Sequence, residues 1–563
     1  MKLGLLLIFC KLKKKKRKMD KSKKITLFKN QRFNIHRLLF LILFLLNFIS
    51  VSSQVIPAPD RSRGEGPFDR LIIRGATLID GTGGMPRGPV DIVIEENKIV
   101  DIKNVGTPKL PIENKNRPAG ATKEIDATGK YVMPGIIDLH IHTGSKTKAP
   151  EAEYVYKLWL AHGITTVRGV PSGDLEWSLS EKKRSSQNKI AAPRMISFHR
   201  PGSGKEWKDR KIITPSDAKE WVQYAHKKGV DGLKLGSFRP AIMKALLDEA
   251  NKLGMGSTAH LGQTGVAQMN ALDAARLGLT GMTHFYGLFE SMYENNDIQT
   301  WPIDMNYNDE QHRFGQVARQ WNMVKPRGEK WNALLEEFLE LDYFLNPTMA
   351  IYSAGRDVMR ARNADWHEKY TLPTLMDFYQ PSRENHGAYW FYWTTHDEVA
   401  WKKFYQVWMT FLNDYKNMGG KVTVGSDAGF IYQTYGFTTI QELEMLQEAG
   451  FHPLEVIRAA TLHGAEEIFH PLKKPIEYGV VREGLLADMI IIDENPLANL
   501  KVLYGTGAVK LNDENRQVER VGGVEYTIKD GIVYNAKQLL DDVEQMVQKQ
   551  KVFRETSTNQ LKN

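Results

Sequence analysis

The chain is nearly without sulfur chemistry of the kind that staples or ligates: its one cysteine, Cys10, lies close to the start. That excludes an intrachain disulfide framework and any thiolate-built metal site. Long apolar runs are also scarce. The single candidate, Leu38 to Ile49, is short for a membrane-spanning helix. An excess of positive charge is missing from the body of the chain as well. Fourteen Lys/Arg and one acid, Asp20, fall within residues 1–53, so the rest carries a net of −3 although the whole chain is at +10. A mildly acidic body excludes nucleic acid as a partner. No internal repeat is evident, and a 42% hydrophobic composition excludes disorder.

What is present begins with a leader. A basic stretch, "KLKKKKRK", precedes the apolar run, and small residues follow it at Val51 and Ser53. This is a signal-peptide pattern over residues 1–53, with cleavage after Ser53 freeing Gln54. It implies a secreted or periplasmic protein with no stable membrane span in the mature chain, the alternative being an N-terminal anchor. Met19 is an alternative start, and the bulky Phe9 beside Cys10 argues against a lipoprotein site.

Residues 54–67, rich in Pro, Gly and charge, read as a linker. Short β-rich stretches fill 68–133 and return at 477–535, which predicts a small β-sandwich domain assembled from both chain ends. Between them, residues 134–476 alternate strand and helix. Eight strand-like segments, starting at "IIDLHIH" and ending at "KVTVGSD", predict an α/β fold, a (β/α)8 TIM barrel with its site at the C-terminal strand ends. Residues 536–563 read as a solvated helical tail.

His140 and His142 alternate on one strand, so both face the barrel mouth as a chelating pair. Lys234, His260, His284 and Asp427 also sit at strand ends. A barrel of ~250 residues gives about 31 residues per strand-helix unit. The separations are 92 residues from His142 to Lys234, 26 to His260, 24 to His284 and 143 to Asp427. They place the ligands on strands 1, 4, 5, 6 and 8, with an insertion after strand 6 or 7. Each residue alone has an ordinary structural reading, Asp427 as a helix cap for example. Five strand ends each carrying a ligand type point jointly to metal. An ammonium repels a cation, so Lys234 calls for conversion to a carbamate by carbon dioxide, which can bridge two cations. The set suits two divalent metal ions, zinc foremost, with manganese, iron, cobalt and nickel open.

Taken with "VMPGIIDLHIH", "GITTVR", "GSDAG", "AATLHGAEEI" and "GVVREGLLADMIIIDENPL", these residues resemble the amidohydrolase superfamily over 68–535, in particular its imidazolonepropionase-like and prolidase-like binuclear members. The resemblance implies that His140, His142 and Asp427 hold one metal, His260 and His284 the other, and a carboxylated Lys234 both. It also implies cleavage of an amide bond in a small-molecule substrate such as a dipeptide or N-acyl amino acid. Asp427 would act as general base and then acid. Two departures stand out: Gly169 occupies a place where such members usually have Asp, and "FHRPGSG" replaces a glycine-rich loop after strand 3. Arg168, His199 and Arg200 are candidates for gripping a substrate carboxylate, with structural salt bridges as the competing reading. The aromatic insertion, about 287–420, contains an inward helical stripe (Trp401, Phe404, Tyr405, Trp408, Phe411, Leu412, Tyr415). Its remainder, about 287–340 and 360–395, is expected to roof the site, or else to form a surface for a homo-oligomer. His463 is expected to cap or pack. The rival functions are a deaminase of the same superfamily and a catalytically inactive binding protein.

Overall fold

A computed structural model describes residues 55–562 except 113, 170–173, 294–300, 384, 390 and 391, so the leader lies outside the described residues. Among the described residues, eighteen strands follow in chain order. The first five are β1 (Phe68–Leu78), β2 (Arg87–Glu96), β3 (Lys98–Asn104), β4 (Lys123–Asp126) and β5 (Tyr131–Pro134). The next eight are β6 (Ile136–Ile141), β7 (Ile164–Gly169), β8 (Arg194–His199), β9 (Gly232–Leu235), β10 (Gly256–Ala259), β11 (Gly281–Thr283), β12 (Phe344–Asn346) and β13 (Lys421–Val422). The last are β14 (Met489–Ile492), β15 (Ala508–Asn512), β16 (Gln517–Val521), β17 (Val524–Lys529) and β18 (Ile532–Asn535).

Strands β6 to β13 make one parallel sheet in strict sequence order. Strand-helix-strand crossovers produce that order, because the chain must return across the sheet to start the next parallel strand and usually does so through a helix. The strand interiors are short and fully buried, as parallel strands covered on both faces must be. The sheet curls, and two backbone bonds tie its first strand to the segment after its last: Leu139 N–H donates to Val424 O at 2.8 Å and Asp427 N–H donates to His140 O at 2.8 Å. Helix boundaries follow local chemistry. The helix Pro215–Lys228, for instance, starts at a reciprocal Thr214/Asp217 box with Pro at its first turn and stops at Gly229, whose φ of 93° only glycine adopts without cost.

Strands from both chain ends share a second, mixed sheet in the order β18-β17-β14-β5-β1-β2-β3. The edge of β1 away from β2 is divided, pairing with β4 at Leu71–Arg74 and with β5 at Thr77–Leu78. This division lets the sheet wrap its own small core of Leu71, Ile73, Ile92, Ile94, Met489 and Ile528. Strands β15 and β16 form a separate two-stranded ribbon.

Three expectations are revised. Residues 55–67 are no linker: Val55 and Ala58 are buried, Ile56 bridges to Glu151, and Glu65 pairs with Val533. Nor is the tail merely solvated. In the helix Ala536–Lys562, Ala536, Leu539, Leu540, Val543 and Val547 recur at helical spacing and are buried, and Asp542 binds Lys157 at 2.8 Å and Arg63 at 2.7 Å. The extra chain length enters in two places, between β11 and β12 and between β12 and β13, where the sequence spacing suggested one. The stripe helix, Thr395–Asn417, buries all seven of its predicted inward residues. No helix among the described residues is long and apolar enough to cross a membrane.

Candidate functional site

The site starts from a buried carboxylate. Asp138, on β6, accepts from His140 N–H at 3.1 Å, Ser426 N–H at 3.0 Å and Thr439 Oγ1 at 2.8 Å. It thereby ties the end of the first parallel strand to the loop after the last. Burial pushes its carboxyl up to about 6, an energetic cost accepted for that tie. Gly425 completes the fit, because a Cβ there would lie 2.7 Å from His140 Cβ. Gly169 has a similar explanation: a Cβ would meet Ile141 O at 2.3 Å, so this backbone admits no side chain where an Asp was expected by resemblance.

All six predicted metal-type residues converge. His142 Nε2 stands 3.1 Å from Asp427 Oδ1, His140 Nε2 stands 3.6 Å from the same oxygen, and His284 Nε2 stands 3.6 Å from Asp427 Oδ2. Lys234 Nζ lies 3.1 Å from His140 Nε2 and 3.2 Å from Thr283 Oγ1. The His260 ring centroid is 4.5 Å from that of His284 in a T-shaped contact, and the His260 ring stacks on Tyr286 at 4.8 Å. His284 and Asp427 reach these places only by turning their backbones to φ of 67° and 50°. Such left-handed conformations in non-glycine residues persist where the surroundings over-determine them. Here His284 N–H donates to Asn346 O at 3.0 Å and Asp427 N–H to His140 O at 2.8 Å.

One arrangement satisfies both contacts of Thr348: its Oγ1 donates to Pro347 O at 2.6 Å and accepts from His284 Nδ1–H at 2.5 Å, which assigns the His284 proton to Nδ1. The lone pair of His284 Nε2 is left buried and unpartnered, facing the Asp427 carboxylate. Two electron-rich atoms 3.6 Å apart with no proton between them suit a cation. The donor atoms of His140, His284 and Asp427 lie within 4.8 Å of one another, a spacing compatible with shared coordination. The fit of this donor set to divalent metal is therefore chemical as well as geometric.

Electrostatics agrees. Burial drives His140 and His260 well below the usual imidazole range and His284 down to about 3, so these rings are neutral and able to ligate at pH 7. Burial also lowers Lys234 to about 7, leaving much of it as free amine. For Asp427 burial acts upward, yet His140 and the hydrogen bond from His142 outweigh it and hold the carboxyl well below its usual value.

A cavity of about 350 Å³ opens over this cluster, lined by His142, His260 and Asp427 from the strand ends. Arg200 lines it too. Arg168 and His199 do not. Arg168 donates to Leu139 O at 3.1 Å and forms a buried pair with Glu467 at 2.6 Å, while His199 Nε2 lies 3.0 Å from Ser197 Oγ. Both are buried on their strands, Arg168 in a salt bridge and His199 in a hydrogen bond. His463 Nδ1 lies 3.2 Å from Val422 O and packs beneath the last strand, as expected. Sequence reasoning missed Arg313 and His386, which come from the two insertions and also line the cavity. No periodicity marks them, since each follows a loop whose path depends on the other.

No family model matches the chain. Over 106 residues it is 36% identical to adenine deaminase 2 of Rhizobium etli, a stretch covering 19% of this chain and 16% of that relative. The chain thus matches under a fifth of that relative's length. A solved Xaa-Pro dipeptidase with methionine bound in its active site superposes with a TM-score of 0.53 over 83% of this chain and 100% of that one, at 20% identity. Bottromycin amidohydrolase gives a TM-score of 0.55 over 86% of this chain and 89% of its own, at 17% identity. These structural likenesses are of fold.

Proposed function

We propose that the chain is a member of the amidohydrolase superfamily and that it hydrolyses a carbon–nitrogen bond of a small substrate, an amide such as a dipeptide or an N-acyl amino acid. The scaffold in this reading is a closed (β/α)8 barrel beside a β-sandwich. Its supports are the backbone bonds between the first parallel strand and the segment after the last, and the wrapped mixed sheet.

The observation that carries the function is the gap between the His284 Nε2 lone pair and the Asp427 carboxylate, ringed by neutral imidazoles. His140, His142 and Asp427 would hold one divalent cation and His260 and His284 a second, zinc by donor type, with carboxylated Lys234 serving both. Metal bound there supplies Lewis acidity, lowering the pKa of water and polarising the scissile carbonyl. The depressed proton affinity of Lys234 favours the free amine that reacts with carbon dioxide. Asp427, held ionised, accepts the proton of the attacking water on an Oδ atom and delivers it to the leaving nitrogen. The leader-like residues 1–53 support a secreted or periplasmic setting.

The test is metal content of the full chain prepared with and without bicarbonate, together with turnover of dipeptides and N-acyl amino acids. About two metals per chain, rising with bicarbonate, and amide cleavage are expected. Asp427→Asn should lower turnover by roughly 10² to 10⁴-fold with most of the metal retained; a fully active variant refutes its role. The likeness to a relative named adenine deaminase favours a second reading, deamination. One metal per chain, indifferent to bicarbonate, with ammonia released from aminopurines would establish it in place of amide cleavage.

A further inference from the structure

Lys148, on the loop after β6, is a buried cation outside the metal-type cluster. Only 7% of it is exposed, and among the described residues no carboxylate stands within ion-pair distance of its amine. Its Nζ donates to Gly429 O at 3.3 Å and otherwise meets aromatic faces, the Phe430 ring centroid at 3.3 Å and that of Phe378 at 4.6 Å. Burying an ammonium without a counter-ion is costly, and burial draws this amine down to about 7 against the pull of Asp427. One carbonyl and two ring faces offset that cost.

The ring that Lys148 covers lines the cavity. Phe430 also meets His142 edge-on at 6.0 Å and, from the second insertion, His386 at 5.5 Å and Phe378 at 5.9 Å. It sits in a loop that local preference opposes: Asp427, Gly429, Ile431 and Tyr432 take φ of 50°, 96°, 50° and 60°, and for a β-branched residue such as Ile431 that is a true outlier. Such a backbone persists only where its surroundings over-determine it. Ile431 N–H donates to Gly387 O at 2.9 Å, and Lys148 grips both Gly429 O and the Phe430 ring. Lys148 is held in turn from outside. Thr374 Oγ1, on the helix Pro373–Phe378, donates to Lys148 O at 2.7 Å, and Thr374 N–H donates to Gln550 Oε1 on the terminal helix at 2.9 Å. A line of contacts thus runs from the terminal helix through Thr374 and Lys148 to Phe430 and His142.

We propose that Lys148 is a positioning residue that pins the Phe430 wall of the cavity, and that the terminal helix steadies this pin through Gln550 and Thr374. A pinned wall fixes the width of the cavity beside His142, and with it the fit of a substrate side chain. That consequence for selectivity rests on the hydrolase reading above; the pin does not.

The test follows amide hydrogen exchange by mass spectrometry on the metal-loaded full chain at pH 6. Lys148→Met keeps an apolar stem between the two rings but removes the charge and the donor, and Gln550→Leu is a partly exposed change on the terminal helix. In Lys148→Met the amides of residues 428–433 should exchange about tenfold or more faster, as loss of a hydrogen bond from a charged group implies, while those of β9 and β10 keep their parental rates. Gln550→Leu should loosen the same loop to a smaller extent, and it carries the test if the buried variant does not fold. Parental exchange at 428–433, or equal loosening across the barrel, overturns the pin. Hydrolysis of N-acetyl-L-phenylalanine and N-acetylglycine adds a readout that general destabilisation would not move. In Lys148→Met the KM for the bulky substrate should rise about tenfold relative to that for the small one, the scale of a lost apolar contact, with kcat for N-acetylglycine retained. If the loop loosens as expected and no amide is cleaved, the hydrolase reading falls and the pin stands. If amides are cleaved and the loop of both variants exchanges as in the parent, the pin falls and the hydrolase reading stands.

Discussion

Glu442 lies one helical turn after Thr439 and is fully buried. Its Oε2 accepts from Ala350 N–H at 2.7 Å, and the N–H groups of Met349 and Thr348 also point to it. It therefore holds the loop from which Thr348 orients His284. Burial raises its pKa from 4.5 to about 8 in spite of those donors. The sign follows from proton counting. Between those two values the folded state keeps a proton that the unfolded state has lost, so the contribution of Glu442 to stability is fully present below pH 4.5 and falls as pH rises toward 8. The slope is about 1.4 kcal/mol per pH unit, or roughly 3 kcal/mol between pH 6 and pH 9. Glu442→Gln has no proton to lose. Its unfolding free energy relative to the parent should rise by that amount over the same range, on top of a constant offset for repacking the amide. Urea unfolding of both full-length proteins at pH 6, 7, 8 and 9 measures the difference, and other titrating groups cancel. A pH-independent difference would refute the assignment of a protonated Glu442 at neutral pH.

Two further outcomes are expected. Gly425→Ala, whose Cβ would lie 2.3 Å from Asn346 Oδ1 and 2.7 Å from His140 Cβ, should displace His140, cost about 1–3 kcal/mol and reduce bound metal; elemental analysis showing full metal would contradict the packing argument. Glu467→Gln leaves the buried Arg168 guanidinium without its counter-charge and should cost about 3–5 kcal/mol in urea unfolding, whereas a loss under about 1 kcal/mol would mean that water compensates the charge.

The helix Phe437–Glu448 links these observations to function. Thr439 fixes Asp138, which fixes the backbone of His140 and Ser426, and Glu442 fixes the loop that orients His284. One element thus braces the donor set from two directions. Oriented ligands need such support, because a ring free to rotate loses affinity even when every donor is present.

Much of this was legible in the linear chain, for local reasons. Period-two alternation placed His140 and His142 on one face, and the strand-helix repeat put Lys234, His260 and His284 at the ends of strands 4, 5 and 6 and Asp427 at that of strand 8. The stripe of Trp401 to Tyr415 declared an inward helical face. These are properties of short windows, and a window is enough to set them. The tertiary structure alone decided what depends on distant contacts. It turned Arg168 to Glu467 and away from the cavity, and forbade a side chain at Gly169 by pressing Ile141 O against it. It buried one face of the terminal helix and brought Arg313 and His386 together through Glu310 across two insertions. A side chain's partner is set by three-dimensional packing, and no local pattern encodes which of many polar groups will stand opposite it.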